Sequence, residues 1–99
     1  MRTLAAAFIL VLAGCVTAPA PIDDYTLARA ALEAARSVEA ARHSPGFYHQ
    51  AEESYRKAKL LFEEREYERA KEQFVRARIA AEKAENSARL IRMKSGEVL

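Results

Sequence analysis

The chain has 99 residues, 51% of them hydrophobic and 30% charged, with 16 basic and 14 acidic side chains, 3 Gly, 3 Pro, 1 Cys and no Trp. That length holds at most one modest domain, and a lone Cys excludes an internal disulfide framework. A formal net charge of only +2 excludes the strongly basic surface that general nucleic-acid binding needs. Turn formers are scarce while Ala, Leu, Glu, Lys and Arg dominate, which favours long helices over strands or disorder.

In chain order, the first element is an export signal over residues 1–14. Met1-Arg2-Thr3 is a short basic start, and Leu4 to Leu12 is an uninterrupted apolar run. The run is far shorter than the roughly 20 residues a membrane-spanning helix needs. Leu12-Ala13-Gly14-Cys15 follows at once. This segment resembles the lipobox of bacterial lipoproteins, an aliphatic residue and two small residues before a cysteine. The resemblance implies a diacylglyceryl thioether on Cys15, cleavage before it, and an amino group open to a further acyl chain such as palmitate. Each buried methylene contributes about 0.8 kcal/mol, so two or three acyl chains hold the protein on a membrane. Val16 rather than Asp follows the cysteine. By resemblance to the sorting rule of enteric bacteria, that implies the outer membrane, facing the periplasm, over the inner membrane. An ordinary secretory signal with an incidental cysteine is the competing reading. Cleavage would remove Arg2 and no acidic residue, which lowers the formal charge by one unit and leaves a near-neutral surface.

Residues 15–22 read as the lipidated cysteine and an extended, flexible tether, since Val16 to Pro21 contains two prolines among small residues. Such a linker spans on the order of 20 Å. The remaining residues, 23–95, predict three helices over about 23–43, 45–65 and 67–94. Asp23 and Asp24 suit the start of the first helix as caps. Tyr25, Ala28, Ala31, Leu32, Ala35 and Val38 recur along it at helical spacing, and Ser44-Pro45-Gly46 ends it near Arg42 or His43. Ser44 before Pro45 is also a start signal for the second helix. That helix carries Tyr48, Ala51, Tyr55, Ala58, Leu61 and Phe62 on one face. In the third, Ala70, Ala77, Ala84 and Ile91 form one heptad row and Phe74, Ala81 and Ala88 the other. A seam this regular and this small in side-chain volume predicts close packing on another helix. Arg92, Lys94 and Gly96 suit its C-terminal end.

Between the second and third helices, Glu63-Glu64-Arg65-Glu66 contains neither Gly nor Pro. A turn there and a single helix of nearly fifty residues are both open. Ala58, Tyr67, Ala70, Phe74 and Ala77 resemble the small and aromatic positions of a tetratricopeptide hairpin, with Arg65 where that repeat carries Gly. The resemblance implies a turn and close helix packing, and a single such hairpin does not make a peptide-binding array. From the lipobox and Pro-containing tether through the Ala-rich helices to Tyr67-x-x-Ala70, the chain also resembles the short, Ala-rich bacterial lipoproteins of the domain-of-unknown-function 4398 type. That likeness implies an all-α domain and an envelope location, and no activity. The fold expected is an antiparallel three-helix up-down-up bundle after a lipoprotein signal peptide.

No residue pattern calls for catalysis. His43 and His49 are the only imidazoles. His49 with Glu52 or Glu53 supplies at most two or three ligands, so both histidines read as solvated side chains and no metal or other cofactor is expected. Glu52–Arg56, Glu53–Lys57, Glu72–Arg76 and Glu85–Arg89 have the favourable i, i+4 orientation of helix-surface pairs, each contributing about 0.2–0.5 kcal/mol. There is no Gly-rich phosphate loop and no nucleophile in a loop context. Tyr55, Phe62, Tyr67 and Phe74 read as core around the second turn rather than as platforms for bases.

One feature is not absorbed by packing. The third helix outlasts the second, and Leu90, Ile91 and Met93 lie on an overhang of roughly 10 Å. They cover the end of the bundle or form a partner-binding edge. The reading is a non-enzymatic lipoprotein held in the membrane by acyl chains on Cys15, acting as a structural or interaction module. Its partner is an envelope protein or a second copy, with no nucleic acid and no small-molecule substrate. The alternatives are a small membrane-active or stress-related lipoprotein, or an accessory subunit of an envelope complex.

Overall fold

The computed structural model describes residues 18–96, so the signal peptide, Leu12, Ala13, Gly14 and Cys15 lie outside the described residues. These residues are all-helical and contain no strand. Four helices follow one another, α1 (Ile22–Ser37), α2 (Ala40–His43), α3 (Pro45–Glu63) and α4 (Tyr67–Lys94).

The first helix departs from expectation at both ends. It begins at Ile22 with Pro21 in the cap position, and Asp23 and Asp24 lie in the first turn, with no side-chain cap hydrogen bond. The carboxylates there still face the positive end of the macrodipole. Ser44 likewise occupies the cap position of α3 without a side-chain cap bond.

The helix expected over 23–43 is broken after Ser37. Glu39 adopts a left-handed conformation, φ 58° and ψ 43°, and α2 restarts at Ala40. The packing explains the break. In a continuous helix, residues 38 and 40 lie about 200° apart and only one of them faces a neighbour. With the break, Val38 and Ala40 are both buried in one cluster with Ala35, Ala84 and Ala88. Val38 continues the face of Ala28, Leu32 and Ala35 and would be buried in a continuous helix as well. What the break adds is the burial of Ala40 and of the His43 side chain, against about 1–2 kcal/mol for a non-Gly residue in the left-handed region.

Between α3 and α4 the chain turns, so these helices are separate. The amide of Arg65 donates to the Phe62 carbonyl at 3.1 Å and that of Glu66 to the Leu61 carbonyl at 2.9 Å. Arg65 is left-handed, with φ 62°. This pair of bonds with one left-handed residue is a Schellman C-cap, the place where helices most often carry Gly. Arg65→Gly is therefore expected to stabilise the fold by about 0.5–1 kcal/mol, the relief of the left-handed penalty less the entropy glycine adds to the unfolded chain. Thermal unfolding should rise by a few degrees, about 4–8 °C per kcal/mol for a domain of this size.

Three core levels run along the molecule. One joins Ala28 of α1, Ala58 and Leu61 of α3, and Ala70, Phe74 and Ala77 of α4, with Tyr25, Tyr55 and Phe62 against them. The next joins Leu32, Ala51, Ala80 and Ala81. The last joins Ala35, Val38, Ala40, Ala84 and Ala88, with Tyr48. Residue numbers rise from level to level in α1 and α4 and fall in α3. The heptad rows of α4 are what the levels share, because Ala70, Phe74, Ala77, Ala81, Ala84 and Ala88 are all fully buried. Alanine lets α4 run close to both α1 and α3, while α1 and α3 approach each other far less. Aromatic side chains fill the space between those two.

The volume is unevenly distributed. At the first level Tyr25 lies 4.7 Å from Phe74 and 5.5 Å from Phe62 between ring centroids. Tyr67 joins edge-on to Phe62 at 5.6 Å. The last level is built of alanines and one valine, with Tyr48 packed against them. Apolar burial scales with area, so the aromatic end carries more of the stability than the alanine end.

Candidate interaction surface

The residues singled out at the end of α4 are exposed, Leu90 by 57%, Ile91 by 40% and Met93 by 66%. Ile91 continues the heptad row of Ala70, Ala77 and Ala84, so the change from buried to exposed has a structural cause. The last level at which α3 covers α4 is that of Tyr48 with Ala84 and Ala88. Beyond it α3 has begun and α2 has ended. The row runs on and its cover does not. The helix closes with the amide of Gly96, φ 81°, donating to the Met93 carbonyl at 3.2 Å.

Phe47, in the first turn of α3, is 40% exposed, and the Lys83 ammonium of α4 stands 5.9 Å from its ring centroid. Phe47 was not legible as a surface residue, because it follows Pro45 at a spacing that a core position also fits. Along α4, Arg89 donates to Glu85 Oε2 from Nε at 3.1 Å and from its terminal nitrogen at 2.8 Å. Of the other i, i+4 pairs expected, Glu52 reaches across to Arg36 of α1 at 3.8 Å, and Glu53 to His49 at 4.0 Å. A long glutamate side chain finds the cation of a neighbouring helix as readily as one of its own.

The other end of the molecule is occupied by the tether. A hollow there is lined by Ala18, Pro19, Ala20 and Pro21 together with Asp24, Tyr67, Glu68 and Lys71. Pro21 is buried. The described part of the tether, residues 18–21, thus borders the first turn of α4. Pro21 reaches this position because its carbonyl accepts the Tyr25 amide at 3.0 Å, fixing the chain as it enters α1.

The histidines differ from each other. His49 is largely exposed, whereas the His43 side chain is only 10% exposed and lies 3.6 Å from Glu39, so the expectation that both are solvated fails for His43. Because of the left-handed turn at Glu39, α2 is folded back and carries His43 inward. Among the described residues no group of three or more His, Cys, Asp or Glu side chains is placed to hold a metal ion.

A polar cluster bridges α1 and α3. The Arg36 Nε donates to the Tyr48 hydroxyl at 2.9 Å. That bond is the main cause that raises the guanidinium further above its ordinary value. Burial raises the Tyr48 phenol, against the opposing pull of Arg36. Burial, followed by a hydrogen bond with Tyr25, raises Tyr55. A phenol raised in the folded state supports folding below its unfolded pKa and withdraws that support as pH climbs through the folded value. Stability is therefore expected to be insensitive to these groups at neutral pH and to fall above about pH 10, the ordinary phenol value. Denaturant titrations at rising pH check this, and Tyr48→Phe should flatten part of the alkaline loss.

Among the described residues no helix is long and apolar enough to cross a membrane. No curated protein and no solved structure matches the chain. The family model described as domain of unknown function (DUF4398) matches residues 23–96, which takes in nearly all of the four helices. The aromatic and alanine positions that build the three core levels all fall within that match, and the chain belongs to this family.

Proposed function

We propose that the protein is a membrane-anchored lipoprotein of the cell envelope, and that its domain is a structural or protein-interaction module rather than an enzyme. In this reading acyl chains on Cys15 hold it to the periplasmic face of the outer membrane. The domain is an antiparallel three-helix up-down-up bundle, with α2 a displaced last turn of the first leg. The rise and fall of residue numbers through the three core levels supports that topology.

The observation that carries the reading is the placement of the two ends. The tether lies beside the first turn of α4, and the exposed Leu90, Ile91 and Met93 lie at its last turns. A helix of 28 residues separates them by about 40 Å. A chain anchored at Cys15 thus holds its aromatic end towards the lipid and its uncovered apolar end away from it.

Two measurements test this. Mass spectrometry of the mature polypeptide should find Cys15 at the new terminus with a diacylglyceryl group. A Cys15→Ser variant should move from the membrane to the soluble periplasmic fraction. An unmodified sulfur with the wild-type chain free in the periplasm removes the anchoring half of the reading. A photo-crosslinking residue at Met93 should capture an envelope protein in living cells, while the same probe at exposed Leu60 in α3 should not.

A further inference from the structure

We draw no further inference here: the strongest candidate, the exposed apolar patch of Leu90, Ile91 and Met93 at the end of α4, is an unpartnered face, and nothing in the structure shows what covers it.

Discussion

Phe74→Ala is expected to abolish cooperative folding at room temperature. Phe74 is fully buried and, with Leu32, is one of the two largest side chains among the described residues with essentially no exposure. Its ring touches those of Tyr25, Tyr55 and Phe62, at centroid separations of 4.7, 5.9 and 6.4 Å. Removing such a ring costs about 3–5 kcal/mol, the transfer of the lost atoms plus the cavity they leave. Small domains have only about 5–15 kcal/mol in total, and a core built mainly of alanine places this one at the low end. Phe74→Leu keeps most of the volume and should cost less than about 1.5 kcal/mol. Far-UV circular dichroism against denaturant separates the outcomes. A sigmoidal transition for Phe74→Ala close to that of wild type would mean that the aromatic level does not hold the helices together.

Ala84→Leu is expected to destabilise less but in the opposite sense, by overfilling. Ala84 has no exposed surface and sits where Ala35, Val38 and Ala40 come together beside Tyr48 and Ala88. Alanine is what allows α4 to lie this close, and overpacking such a site costs about 1–3 kcal/mol and displaces backbone. The break at Glu39 gives the added atoms somewhere to go, since α2 is only four residues long. The strain should therefore appear as loss of α2 and of the buried position of His43, visible as changed amide shifts over 38–44. One heptad further on, Ile91→Ala should move stability by no more than about 0.5 kcal/mol, as expected of a surface position. Equal costs at Ala84 and Ile91 would mean that the seam is covered along its whole length.

Much of the arrangement was legible in the residues. The all-helical class followed from composition, because little else is open to a chain with so few turn formers. The heptad rows of α4 were legible because a helix repeats nearly every 3.5 residues, and all six positions from Ala70 to Ala88 are fully buried. The turn at Arg65 was readable only through its likeness to a hairpin, since a Schellman cap made with Arg carries no Gly to announce it. The break at Glu39 carried no signal at all. Ala35 to His43 reads as good helix, and what breaks it is the seam of a helix more than forty residues away.

The same division holds for the interaction surface. Sequence alone determined that Leu90, Ile91 and Met93 lie past the end of α3, because helix lengths fix the overhang. It did not decide whether those apolar side chains are covered, nor that Lys83 of α4 stands 5.9 Å from the Phe47 ring of α3. Local periodicity is written within each segment, at spacings of three and four residues. Which segment ends beside which is set by the whole packed length, and here by small alanines that let one long helix slide close to two shorter ones and outrun them.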